Sequence, residues 1–387
     1  MTPFLRKLIG MNWLLFAAVV VISLAGVFFI QGATEHFTSE KTYWQDHARF
    51  VGFGLVIFLA VTLTDYRWVK WLAIPLYVVS MILLGLTFTK FGVEVKGAVC
   101  WLKLPGLPQF QPSQIAIVSG ILVLALFLSQ FPNLHAFWRL CGTGIITLPP
   151  MALTLLQKDN GMTLVWVPTV MAMLWLGGIP KRWLAALVLV GLTLLPLVIC
   201  FKLEMYARSR IVAFLDPEID PRGTGYAIIQ SLIAVGSAGF NGKRMAEVPP
   251  GAEPMPTQLE LGLIPADVAH TDYIFTTIAE QWGFLGGVAV IAAFGILLLA
   301  MVLTAFRARD AFGLLIVAGI TGQVFFHTYQ NIGMTIALMP ITGLPLPLIS
   351  SGGTFVLMLM FTFGLINSVW VHRNQAVSTK EKEFALA

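Results

Sequence analysis

Asp272 stands in the run His270-Thr271-Asp272-Tyr273-Ile274-Phe275, directly before a long apolar stretch. A carboxylate at such a boundary is reachable by water yet partly desolvated, which strengthens it as a general base. The competing reading is a plain helix-start charge that complements the helix dipole. Glu280 lies deeper in the same stretch, where an acid is either functional or paired with another helix. On the same side as Asp272 fall the cations Lys96, Lys103, Arg208, Arg210, Arg222, Lys243 and Arg244. Arginine suits bidentate contact with phosphate. Interfacial anchoring is the other reading for each cation.

The elements that must position these residues are transmembrane helices. Of the 387 residues, 57% are hydrophobic and only 11% charged, against about 25% charged in soluble domains. Mean hydropathy is +0.83. A span needs roughly 20 apolar residues, which leaves room for about ten. Apolar runs bounded by polar clusters place them at 11–30, 49–64, 72–88, 113–130, 141–156, 162–178, 183–203, 283–303, 312–337 and 352–371. The fold class is an all-α polytopic membrane protein, with 1–387 as one domain. The run after Arg6 and Lys7 is too long for a signal-peptide core and is read as a retained first helix.

An even number of spans puts both termini on one side. The short segments there carry Lys7, Arg67, Lys70, Arg139, Lys181, Arg307 and Arg373 against few acids, which makes that side the cytoplasm. Trp44, Trp68, Trp71, Trp183 and Trp370 fall at the expected interfaces. The net charge of +5 comes without a basic run interleaved with aromatics, so no nucleic-acid partner is expected. Cys100, Cys141 and Cys200 form neither a disulfide framework nor a metal-ligand spacing. Residues 206–270 form a long extracellular loop rich in charge, Gly and Pro, and loops of that length are usually functional. Within it Tyr226 to Gly236 is apolar enough to lie at the interface, while Asp216-Pro217 and Gly223 with Gly225 set turns. Residues 375–387 read as a short cytoplasmic tail.

Several short motifs follow one another along the chain. Lys96-Gly97-Ala98 with Trp101 is followed by Phe110-Gln111-Pro112-Ser113. Gln157 and Asp159 with Gly161 come next, then Leu215-Asp216-Pro217 and Gly225-Tyr226 through Gln230-Ser231. The run containing Asp272 follows, with Ala279-Glu280. Asn331-Ile332-Gly333-Met334 and Pro340 to Gly353, with Pro345, Pro347, Ser350, Gly352 and Gly353, close the series. Together these resemble the SEDS family (RodA, FtsW and SpoVE), most closely its RodA branch, from about residue 90 to 373.

The resemblance implies a peptidoglycan glycosyltransferase that polymerises lipid II, an undecaprenyl-diphosphate-linked disaccharide peptide. It implies the outer face of the bacterial cytoplasmic membrane, a role in elongation and shape, a class B penicillin-binding protein as partner, and contact with elongation machinery and membrane lipid. Asp272 becomes the catalytic base. Lys96 and Arg210 become the diphosphate contacts. Gln111, Ser113, Asp159, Gln230, Lys243, His270, Thr271, Glu280, Ser350, Gly352 and Gly353 line the substrate region. Trp101, in a short loop, either packs beneath sugar rings or anchors at the interface. Asp159 either holds a cation or caps a helix. Gly352-Gly353 allow close backbone approach in a re-entrant turn. The metal requirement is open, with a divalent cation such as Mg2+ the candidate.

This is a divergent member. Gln114 and Ile117 stand where the family carries Glu and Lys, which is consistent with joint removal of a buried ion pair. Cys100 replaces an Arg, Lys158 and Asn160 flank Asp159 in place of Pro and Leu, and Ser351 replaces a Tyr. Two other functions compete: a flippase for a lipid-linked precursor, and a non-catalytic scaffold for a penicillin-binding protein. A flippase wants a polar path through mid-membrane, whereas a polymerase wants its acid and cations at the outer rim.

Overall fold

The computed structural model describes residues 3–34, 42–95, 97–106, 108–201, 205–221, 223, 225–245 and 255–374. Lys96, Arg222 and the tail 375–387 lie outside them, as do the side chains of Arg208 and Cys200. In hydrocarbon every backbone N–H and C=O must be satisfied within the chain, which makes helices of these apolar runs. A short helix α1 (Pro3–Ile9) precedes α2 (Trp13–Thr34), α3 (Tyr43–Leu63) and α4 (Val69–Leu86). A hairpin of β1 (Gly92–Val95) and β2 (Ala98–Leu102) follows, then α5 (Pro112–Gln130), α6 (Ala136–Leu156), α7 (Asn160–Leu176) and α8 (Lys181–Phe201). After α9 (Met205–Leu215), α10 (Tyr226–Ser237) and α11 (Ala266–Ala269) come α12 (Ile274–Phe306), α13 (Ala311–Thr335) and α14 (Gly353–Val371).

Among the described residues, eight helices are long and apolar enough to cross a membrane: α2, α3, α4 with the turn before it, α5, α6, α12, α13 and α14. Helices α7 and α8, of 17 and 21 residues, fall where the sixth and seventh spans were expected. Polar caps fix several starts. Asp310 Oδ1 accepts from Gly313 N at 2.9 Å, and His135 Nδ1 accepts from Phe137 N at 3.2 Å. The core runs along α5, α13 and α14, whose spans are 72%, 72% and 67% buried against 17% for α4. Small residues let these helices close up. A Cβ on Gly322 of α13 would meet Pro168 O of α7 at 2.9 Å, and one on Gly120 of α5 would strike the Trp166 ring.

Two expectations change. Trp101 lies in strand β2, paired antiparallel with Val93, rather than in a loop. The hairpin is held from outside by Val99 N donating to Gln157 O at 3.0 Å and by Leu102 bridging Phe110. Helix α12 starts at Ile274, before the expected span at 283, because its first residues pack against protein. Thr276, Thr277, Glu280 and Gln281 are all buried there, which lowers the local hydropathy without exposing polar groups to lipid.

Candidate active site

Asp272 sits in the tight turn that feeds α12. Thr271 N and Tyr273 N both donate to Val268 O, at 3.1 and 3.0 Å. The carbonyls on this stretch are received by the segment between α13 and α14 or by α13 itself. Ser351 N donates to His270 O at 2.9 Å, and Ser350 Oγ to Thr271 O at 2.6 Å. Asn331 Nδ2 of α13 donates to Asp272 O and to Leu344 O, both at 2.8 Å. The backbone of Asp272 is therefore clamped while its half-buried carboxylate stays beside Gly343, where an added Cβ would lie 3.4 Å from Oδ2. Gly343 has φ +71, a conformation that favours glycine. The His270 ring packs on Tyr43 of α3 with centroids 4.2 Å apart.

The segment 336–352 is the hub of the site. Arg210 of α9 donates from Nη1 to Ile341 O at 3.4 Å, which brings this cation to the loop that flanks Asp272. Gln330 Nε2 holds Pro340 O at 2.7 Å. Leu348 takes a positive φ of 63, costly for a branched side chain, and His47 Nε2 lies 3.2 Å from its carbonyl. On the far side a Cβ on Gly26 of α2 would stand 2.4 Å from the same oxygen. Ser350 is buried, and its Oγ also accepts from Leu346 N at 2.8 Å, so it shapes the loop from within. Of the two terminal glycines, Gly353 makes the close approach, since a Cβ there would meet the Phe50 ring. Gly352 has extended φ and an added Cβ would meet only Phe355, at 3.7 Å.

A second group secures the other end of the site. Asp159 caps α7: Oδ1 accepts from Met162 N at 3.1 Å, and Oδ2 accepts from Gln111 Nε2 at 2.6 Å and Ser113 Oγ at 3.4 Å. Burial pushes this carboxyl above the ordinary range, while those three donors pull the other way. Cys100, standing where the family has Arg, is pushed up to about 12 by burial and then by the Asp159 charge. Gln114 and Ile117 are both buried, and Gln114 Nε2 donates to Gln111 Oε1 at 3.4 Å. A neutral pair thus occupies that interior position. A Cβ on Gly161 would meet Thr342 O at 2.8 Å, so the start of α7 abuts the same hub.

The third group is a latch. At Gly283 (φ 65, ψ −159) helix α12 breaks, and the freed N–H groups of Phe284 and Leu285 donate to Gly239 O and Phe240 O at 3.0 and 3.2 Å. The loop 239–243 thereby enters the break. Lys243 Nζ donates to Glu280 Oε1 at 2.6 Å, and Gln258 N donates to the same oxygen at 2.7 Å. The side chains are 7% and 1% exposed, so Glu280 is paired, with a loop lysine rather than with another membrane helix. Gln230 lies on α10, which docks on α12 and α13 through Ser231 Oγ, 2.6 Å from Thr276 Oγ1 and 2.7 Å from Thr335 O. Its buried Oε1 accepts no hydrogen bond among the described residues. Among the described residues no three His, Cys, Asp or Glu side chains converge into a metal-ligand cluster.

Sequence reasoning named Asp272, Arg210, Ser350 and Gln111 but missed His47, Gly26 and the role of Asn331. Asn331 is a polar residue inside an apolar helix, which marks it for attention, whereas His47 stands in the polar first turns of α3 beside Asp46 and Arg49 and carries no such signal.

The fold and this rim-located acid and cation define a polytopic helical membrane protein with a site at one end of its bundle. The profile of the cell cycle protein family FtsW/RodA/SpoVE matches residues 5–375, and the chain belongs to that family. It is 34% identical over 329 residues to the peptidoglycan glycosyltransferase MrdB of Escherichia coli K12, covering 84% of each chain. It is 29% identical to the peptidoglycan glycosyltransferase RodA of Treponema pallidum, over 94% of this chain and 98% of that one. Among solved structures it resembles a chain from work on polymerization and crosslinking by a peptidoglycan synthase complex, with TM-score 0.78, 29% identity and 95% and 99% coverage. The rod shape determining protein RodA of Thermus thermophilus matches with TM-score 0.69, 28% identity and 95% and 98% coverage.

Proposed function

We propose that this chain is a peptidoglycan glycosyltransferase that polymerises lipid II at the outer face of the cytoplasmic membrane, in the service of elongation. The observation that carries this reading is the common loop 336–352, which fixes the backbone of Asp272 and receives Arg210. In the reaction a sugar hydroxyl of one chain attacks the anomeric carbon of another. A C–O bond forms there as the bond to the lipid diphosphate breaks. The hydroxyl proton passes to the Asp272 carboxylate, and the diphosphate leaves with the bonding electron pair. Arg210 offsets the charge that builds on the diphosphate. Lys96 joins it by motif, its position lying outside the described residues. No step here is assigned to a metal.

Asp159, Gln111 and Ser113 support the opposite wall of the loop, and Lys243 with Glu280 seat the 239–243 segment. These are positioning roles. The neighbour drawn from a peptidoglycan synthase complex supports a penicillin-binding protein as partner, and the family resemblance narrows it to class B. The cations at the end of the bundle opposite Asp272 support cytoplasmic termini. The reading is tested by incubating the purified protein with labelled lipid II, alone and with a class B penicillin-binding protein. Glycan ladders are expected. Movement of intact lipid II across vesicles without ladders would favour a flippase instead.

A further inference from the structure

At the end of the bundle opposite Asp272, α12 and α14 finish side by side. Asn12 at the start of α2 ties the two together, its Nδ2 donating to Thr304 Oγ1 at 3.0 Å and its N to Asn367 Oδ1 at 2.9 Å. Just beyond, two guanidinium groups share one indole. The Cζ of Arg307 lies 4.8 Å from the Trp370 ring centroid, and that of Arg373 lies 4.3 Å from it. Arg373 Nη1 donates to Trp370 O at 2.6 Å, which fixes the second arginine. Like charges held on one ring repel, and the ring quadrupole offsets only part of that.

Neither arginine has a carboxylate within ion-pair distance among the described residues. The acid nearest in sequence, Asp310, is committed elsewhere. It accepts from Tyr66 Oη at 2.6 Å and Gly313 N at 2.9 Å, with Lys70 at 4.0 Å. Arg309, two residues after Arg307, adds a buried Nη1 that donates to nothing among the described residues. Two guanidinium groups held on one ring, with Arg309 close in sequence, present a fork of N–H donors suited to a phosphate. Phe306, beside Arg307, is 82% exposed at the end of a membrane-crossing helix. An apolar side chain so placed suits the acyl chains of a lipid whose headgroup reaches the arginines. We propose that Arg307 and Arg373, held on Trp370, bind the phosphate of an anionic membrane phospholipid.

The test uses the full-length chain in a neutral detergent, with bound lipid counted by native mass spectrometry and melting followed in parallel. Phosphatidylglycerol should bind and raise the melting temperature, while phosphatidylcholine and millimolar inorganic phosphate should do neither. Arg307→Gln and Arg373→Gln should each weaken phosphatidylglycerol about fivefold, with lipid-free melting unchanged. Lys90→Gln, an exposed cation over Phe91 near the far end of α4, should leave binding as it is. Glu381→Gln with Glu383→Gln should also leave it unchanged. Equal binding of the two lipids overturns the proposal without recourse to any variant. So does wild-type affinity in both arginine variants, protection by phosphate alone, loss of lipid binding in Lys90→Gln, or a gain of lipid affinity on removing the two tail carboxylates.

Discussion

At the scale of single residues, the buried groups make the sharpest predictions. Lys243 and Glu280 lie out of water and neutralise each other. Lys243→Met leaves a buried carboxylate uncompensated and should cost about 3–5 kcal/mol, whereas Lys243→Met with Glu280→Leu should recover most of that loss. Thermal unfolding in detergent checks both. Asp159 behaves differently. Its folded carboxyl is raised, so its ionised form costs stability: the contribution is fully present below the unfolded value and is lost as pH rises through the folded one. Asp159→Asn keeps a capping oxygen for Met162 N but loses the acceptor of Gln111 and Ser113, and the parent should gain on it further as the pH is lowered. Asp272 was singled out in the sequence by its motif, since a carboxylate before an apolar run is otherwise read as a helix-start charge. Its supports were not. Asn331 is 59 residues away in the chain and His47 reaches Leu348 across 301. Only the packing of α3 and α13 against one loop brings them to it.

At the scale of elements, the spans were legible wherever lipid decides the composition and illegible where protein does. Helix α12 carries Thr276, Thr277 and Glu280 in a stretch that faces protein, so hydropathy alone starts the span late. The β1–β2 hairpin gave no alternating pattern strong enough to notice, since its register is set by contacts to Gln157 and Phe110. The break at Gly283 has a direct test. A Cβ there would stand 2.3 Å from Gly242 N and 2.6 Å from Phe240 O, at a φ that disfavours any other residue. Gly283→Ala should cost about 1–3 kcal/mol in backbone strain and unseat the 239–243 loop, read as faster proteolysis between α10 and α11. Asn331→Ala removes the donor to two carbonyls on the hub. It should cost about 1–3 kcal/mol per carbonyl left unmet, and glycan synthesis should fall further than lipid II binding, because the change moves Asp272 rather than the substrate.

At the scale of the whole molecule, the helices alternate between two ends. One gathers Lys7, Arg67, Lys70, Arg307 and Arg373 around the start of α2 and the finish of α14, and the other holds Asp272, Asp159 and the hub loop. If the first end is cytoplasmic, a membrane-impermeant thiol reagent added outside a Cys-free variant should label Ser237→Cys, which is exposed, and not Ser378→Cys in the tail. Thr257, in the same loop, is 7% exposed and unsuited to the experiment. The central claim is that the clamped Asp272 carboxylate takes the proton of the attacking hydroxyl. Asp272→Asn preserves size and leaves Asn331, Ser350 and Ser351 on the same backbone carbonyls. A helix-start charge would cost only about 0.3–1 kcal/mol of stability, whereas loss of a general base costs about 100- to 10,000-fold in rate. The purified Asp272→Asn protein, folded and assayed with labelled lipid II beside the parent chain, should give no glycan ladder. Polymerisation at more than about a tenth of the parent rate, well above that range, would contradict the account.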